Sequence, residues 1–171
     1  MVTLMPDPAP GPRLSASDRR LLQAARTATL ATIDGRGQPR LIPCCFALDP
    51  GREARSGGPR DQLRIWTPID EKPKRTTDPH RLGRVADLRA RPEVSLLVDH
   101  WSEDWSRLTW LRLRGRATLL EPDESGDAGE RSEAIEALRA RYPQYRDHDL
   151  ESRPIITIMV TEVVRWAAAE P

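Results

Sequence analysis

Between Trp110 and Leu120, Leu111, Leu113, Ala117 and Leu119 fall on one side of the chain and Trp110, Arg112, Arg114 and Arg116 on the other. Successive side chains of an extended strand point to opposite faces, so this alternation places the apolar residues together only if the segment is a strand. A long strand with one apolar and one cationic face belongs to a sheet that is covered on one side.

The remaining segments supply partners for it. Residues 27–33 are rich in β-branched side chains and run into Asp34-Gly35-Arg36-Gly37, whose glycines provide the positive φ of a tight hairpin. Residues 38–48 are expected to return as one strand. Pro43 within it cannot donate to a ladder, which puts it at a bulge or a free edge. Residues 63–67 form a further strand, residues 93–98 a buried one, and residues 154–167 one or two closing strands. Ser15-Ala16-Ser17-Asp18 caps a helix to Ala25, with Leu14 as a staple and Leu21, Leu22 and Ala25 facing inward. Asp78-Pro79 opens a second helix, running to Ala90 and burying Leu82, Val85 and Ala86. Ser125 or Asp127 caps a third, carrying Ile135 and Leu138 and stopped near Pro143. This order predicts a mainly β, α+β architecture: a mostly antiparallel sheet closed as a small barrel, with flanking helices.

A length of 171 residues suits one domain, expected over residues 14–171. Residues 1–13 are expected to be a disordered proline-rich leader, and residues 50–61 a flexible loop. No run approaches the roughly 20 apolar residues of a membrane span, and the N-terminus lacks a signal-peptide core. Adjacent Cys44 and Cys45 make no disulfide framework, which suits a cytoplasmic protein.

Charge is nearly balanced at +1, from 27 Lys and Arg against 26 Asp and Glu, which argues against a nucleic-acid binder held by a broad basic field. Any cationic patch must be local. Lys72 and Lys74 are the chain's only lysines, one residue apart in Lys72-Pro73-Lys74-Arg75. Lying between a strand end and a helix start, this segment has side-chain cations, the hydroxyls of Thr76 and Thr77, and free backbone amides, as a phosphate site requires. The cationic run continues through Arg81, Arg84, Arg89 and Arg91, although Arg81, Arg84 and Arg89 also fit the solvated face of a helix. The Trp110 and Arg112 row suits a subunit interface or a cofactor edge, or a solvated strand face. Residues 99–105 match no closed metal pattern. GxSxG, P-loop, HExxH and GxGxxG motifs are absent, so a bound redox cofactor is the natural carrier of any chemistry.

Several pieces in order resemble one family. They are Thr29-Leu30-Ala31-Thr32 with Gly37-Gln38-Pro39, Pro43, Asp70-Glu71-Lys72-Pro73-Lys74-Arg75 and Arg91-Pro92-Glu93-Val94-Ser95-Leu96-Leu97-Val98-Asp99. Asp104-Trp105 with Arg107-Leu108, and Trp110-Leu111-Arg112-Leu113-Arg114-Gly115-Arg116-Ala117, complete the set. Together they resemble the pyridoxamine 5'-phosphate oxidase-like, FMN-binding split β-barrel proteins, and among them the subgroup that uses the deazaflavin coenzyme F420. Flavin-mononucleotide oxidases of that family usually carry Ser-Arg-Lys after the third strand and Arg-Gln before the long one. Here Lys72-Pro73-Lys74-Arg75 and Thr109-Trp110 stand instead, which tilts the resemblance toward F420.

The resemblance implies a homodimer with cofactor sites at its interface, moving a hydride between F420 and a small electron-poor organic substrate. FMN is the alternative cofactor, and a non-enzymatic cofactor-binding barrel is the rival from another class. The implied cofactor residues are Lys72, Lys74, Arg75 and Thr76 at the anionic tail, Pro43, Cys44, Cys45 and Thr67 near the ring, and Trp110 and Arg112 from the dimer face. No side chain is assigned as a catalytic acid or base, and no metal is expected.

Overall fold

A computed structural model describes residues 12–49, 63–71, 76–123 and 125–169. Along them run α1 (Ala16–Ala24), β1 (Ala28–Ile33), β2 (Pro39–Cys44), β3 (Ala47–Leu48), β4 (Arg64–Pro68), α2 (Gly83–Ala90), β5 (Glu93–His100), β6 (Thr109–Leu120), α3 (Ala128–Arg141) and β7 (Ile155–Ala167). The expected loop at 50–61 and Lys72-Pro73-Lys74-Arg75 lie outside the described residues, as does the expected leader except for residues 12 and 13. Arg13 offers its carbonyl to Arg165 at 3.3 Å.

The seven strands form one antiparallel sheet in the order β2-β1-β5-β6-β7-β4-β3. Residues 38–48, expected as a single strand, are divided at Cys45 and Phe46 into β2 and β3, which occupy opposite ends of that order. Only two residues separate them, so the sheet has to curl until its ends approach, as in a split barrel. Tyr142 holds this crossing in place. Its hydroxyl accepts the Phe46 N–H at 3.1 Å and lies 2.9 Å from the carbonyls of both Arg26 and Phe46. Pro43 sits in β2 opposite Thr29, at the free edge that its missing N–H demands.

Alternation along the strands feeds two cores. Leu30, Ile65, Leu96, Leu111, Leu113, Ala117, Ile156 and Ile158 turn into the barrel, where Leu22 of α1 and Val85 and Leu88 of α2 close over them. Leu21, Ala25 and Leu14 pack at the margin of this core, as their spacing predicts. Trp66, Leu120 and Ile155 point to the other side, into a second core under Ala134, Ile135 and Leu138 of α3. The β5 segment is half-buried rather than buried, because only Val94, Leu96 and Val98 face inward.

The second helix departs most from its expected form. Asp78 does cap, accepting the His80 N–H at 2.9 Å, but the turn it starts, Pro79–Arg81, is a 3-10 turn. Leu82 then adopts an extended conformation and α2 begins at Gly83. The break rotates the helix, so Asp87 and Leu88 are buried and Ala86 is exposed. Asp87 accepts hydrogen bonds from Thr32 Oγ1 at 2.8 Å and Arg40 Nε at 2.7 Å, tying α2 to β1 and β2. Arg40 reaches it across Gly83, where a Cβ would come within 2.8 Å of the guanidinium.

Gly115 marks a bulge between β6 and β7, where the register moves from Arg114 opposite Glu162 to Gly115 opposite Val160. A Cβ on Gly115 would stand 2.3 Å from the backbone carbonyl oxygen of Met159. Backbone cannot swing aside as a side chain can, so Gly115→Ala is expected to destabilise the protein by about 2–3 kcal/mol, read by chemical denaturation. Retention of wild-type stability would contradict the close approach.

Glu130 anchors α3 to the sheet by accepting from Thr157 Oγ1 at 2.8 Å and Trp66 Nε1 at 3.2 Å, and by pairing with Arg64. Burial pushes its carboxyl up, but these hydrogen bonds and the Arg64 charge outweigh burial and hold it below the ordinary glutamate range. Because the folded value is depressed, its stabilising effect is complete above the unfolded value and fades as pH falls through the folded one. Glu130→Gln should therefore lower stability at pH 7 by more than at pH 3.5 in denaturant titrations. An equal loss at both would mean that the charge itself contributes nothing.

Candidate functional site

On the outer face of β1, β2, β5 and β6 lies a groove of about 540 Å3. Its position follows from the registers. Thr29 is opposite Leu97, Ala31 opposite Leu41 and Ser95, Leu97 opposite Arg112, and Asp99 opposite Trp110. Residues directly opposite in an antiparallel pair share a face, so all of these stand on the side of the sheet turned away from the barrel core. Thr29, Ala31 and Ser95 are small, while Leu41 and Leu97 rise beside them, with Leu41 66% exposed. Trp110 forms one wall and stacks on Trp166 of β7, ring centres 6.4 Å apart and planes 17° from parallel.

The cationic row on β6 divides in two. Arg114 pairs with Glu162 at 2.9 Å and Arg116 with Glu93, both exposed, so they are surface ion pairs. Arg112 lines the groove instead, and its Nε is sealed from solvent without a hydrogen-bond partner. A buried donor left unpaired costs free energy, and most such donors in folded proteins are satisfied. Trp110 and Arg112, singled out from sequence, are thus brought to one groove. Pro43 is exposed on the same face, opposite the groove residue Thr29.

Cys44 and Thr67 are elsewhere. Thr67 is buried and shares Ile65's side of β4, and it neighbours Cys44, which packs on the barrel core. Burial pushes the Cys44 thiol up, more than Thr67 and Arg84 pull it down, so it is a neutral thiol rather than a nucleophile. Cys45 packs on the second core beside Tyr145. Tyr145 donates to Asp70 at 3.0 Å, and burial pushes its phenol upward. Thr76 is partly buried and accepts the Asp78 N–H at 3.2 Å. The residues expected to form one site therefore fall in two places: a groove on the outer face, and a polar cluster at the barrel end where β4 leaves the sheet. Lys72, Lys74 and Arg75 lie outside the described residues.

Thr29, Leu41, Ser95, Leu97 and Asp99 are groove residues that sequence reasoning misses. Parity could have found them, since Leu97 and Asp99 stand opposite Arg112 and Trp110, Thr29 stands opposite Leu97, and Ser95 and Leu41, both opposite Ala31, continue the same face. Trp66 is core, whereas Trp101, Trp105 and Trp166 are exposed on this chain.

Known structures share this architecture. A conserved hypothetical protein of Mycobacterium tuberculosis superposes with a TM-score of 0.64 at 18% identity, over 94% of this chain and 89% of its own. An F420 reductase gives 0.55 at 19% identity, over 88% of this chain and 98% of its own. An FAD-binding protein of Mesorhizobium loti gives 0.53 at 23% identity, over 89% and 92%. At such identities the likeness is one of fold. No curated protein matches the sequence. The sequence model of the pyridoxamine 5'-phosphate oxidase family matches residues 14–167, which span the helices, the curled sheet and the groove, and the chain belongs to that family.

Proposed function

We propose that this protein is an oxidoreductase that uses a flavin-type cofactor, the deazaflavin coenzyme F420, to move a hydride to or from a small electron-poor organic substrate. The observation that carries this is the groove with Arg112 in it. Its volume suits a cofactor ring, small residues leave room for a planar group, and the unpaired Arg112 donor suits a ligand oxygen. Family membership and the fold shared with an F420 reductase and an FAD-binding protein agree with that use.

When bound, the ring would supply the hydride chemistry. The chain's own residues bind and orient. Arg112 sets a fixed positive charge at the groove, Thr29 and Ser95 offer hydroxyls, and Trp110 offers a flat wall. Pro43, exposed on the groove face, borders the approach to the ring, whereas Cys44, Cys45 and Thr67 stand apart from it in the cluster at the barrel end. Lys72, Lys74, Arg75 and Thr76 grip the anionic tail, and the choice of F420 over FMN rests on their number. No side chain is required as an acid or base.

The functional unit in this reading includes a second copy of the chain. Leu41, Leu97 and Trp166 leave the groove face more apolar than a solvated sheet needs to be, and a homodimer would cover it and bring two cofactor sites to the interface. Sedimentation should show a dimer that Leu41→Glu with Leu97→Glu converts to monomer. A wild-type monomer at working concentrations would remove this part.

Titration of the purified protein with F420 and with FMN, followed by absorbance and emission, tests the cofactor. F420 should bind the more tightly, and Lys72→Ala with Lys74→Ala should weaken it by about 2–4 kcal/mol. Arg112→Ala should cost about 1–3 kcal/mol. Tighter FMN binding would make this an FMN protein, and no response to either ring would leave a barrel with another role.

A further inference from the structure

Among the described residues, the lining of the outer groove holds one cation and one anion, Arg112 and Asp99. In the proposed function Arg112 meets a ligand oxygen, which leaves Asp99 without a task. Its surroundings differ from those of the other acids along this cationic row. Glu93 stands directly opposite Arg116 and Glu162 directly opposite Arg114, and both join as ion pairs. Asp99 stands opposite Trp110 instead, with Arg112 one pair further along the same face. Such a diagonal spans roughly 7–8 Å of backbone, within reach of a long arginine side chain. The two charges nevertheless stay apart, and among the described residues the exposed Asp99 carboxylate has neither a hydrogen-bond nor an ion-pair partner. Joined, they would close this end of the groove. Apart, they give it a positive and a negative end, the negative one beside the indole of Trp110. A carboxylate next to an indole favours a cation both by its charge and through the negative face of the ring.

We infer that Asp99 determines specificity, receiving the ammonium-bearing end of a flat substrate in the angle between its carboxylate and the Trp110 ring. Two opposite fixed charges also orient an unsymmetrical molecule, because the reversed pose would set its cation against Arg112. The oxygen-bearing, electron-poor end then lies toward Arg112. Covered by a second copy of the chain, an unmet carboxylate would lose its water with nothing in return, and a cationic group brought by the substrate offsets that loss. That the occupant is a substrate rests on the function proposed above, whereas the preference for a cation at this end rests on the groove alone.

The test uses the full chain as wild type, Asp99→Asn and Asp99→Glu, with and without F420. The probes are benzylideneacetones of matched size that carry an aminomethyl, a hydroxymethyl or an ethyl group in the para position, titrated by calorimetry. Wild type should bind the ammonium probe about five-fold more tightly than the ethyl probe, with the hydroxymethyl probe between them, and salt should narrow the margin. Asp99→Asn should bring the margin below about two-fold, the part that Trp110 alone supplies, while Asp99→Glu keeps most of it. With reduced F420 as hydride donor, the KM values should follow the same order. Equal binding of the probes by wild type, or no binding of any, overturns the assignment. So does a margin that survives in Asp99→Asn. Sedimentation in which Asp99→Asn dissociates a wild-type dimer overturns it as well, because the carboxylate would then serve the partner chain. If the margin depends on Asp99 but F420 neither binds nor reduces a probe, the cofactor assignment falls and the charge selection stands.

Discussion

The ladder between β6 and β7 pairs Thr109 with Ala167 at one end and Leu120 with Ile155 at the other, and the remaining strands hang from it on both sides. A strand this long in a curled sheet cannot stay straight, and the bulge at Gly115 is where it bends. Before the bulge, β6 gives Leu111 and Leu113 to the barrel and Trp110 and Arg112 to the outer face. Beyond it, Ala117 and Leu119 serve the barrel while Leu120 reaches the core under α3. One hydrogen-bonded pair of strands thus fixes both cores and one wall of the groove.

Around that frame, the buried carboxylates are answered. Asp87 has Thr32 and Arg40, Glu130 has Thr157, Trp66 and Arg64, and Asp18 takes the Ser15 amide at 2.8 Å and Arg165 at 2.7 Å. Each of these joins a helix to a strand, so the ion pairs position the elements as well as compensating charge. Some buried nitrogens are not answered in this way: the Nε atoms of Arg84, Arg112, Arg131 and Arg153 and Nδ1 of His148 are sealed from solvent without a hydrogen-bond partner.

The sheet was readable because period-two patterning survives wherever one face is covered, as in β6, and because the glycines of the 34–37 turn announce their hairpin. The split of β2 from β3 was not, since nothing in Cys45-Phe46 signals that the chain leaves one edge and joins the other. The Tyr142 hydroxyl, 96 residues away, holds that crossing. The break at Leu82 escaped for a similar reason: Asp78-Pro79 is a sound helix start locally, but burial of Asp87 against Thr32 and Arg40 sets the rotation of α2. Within the candidate site, Trp110 and Arg112 stood out by type. Thr29, Ala31 and Ser95 did not, because small residues acquire meaning only once the register places them under the aromatic wall.

The prolines of β2 have a consequence beyond geometry. Pro39 and Pro43 lie at the edge of the sheet, and neither carries an amide hydrogen. An exposed strand edge is a template on which another chain can build, especially while folding is incomplete. With two of its six residues unable to donate, β2 is a poor template for that growth. The same edge that lets the sheet end beside the groove therefore also protects the young chain against runaway strand addition, so two such chains would meet through side chains on the groove face in preference to a shared ladder.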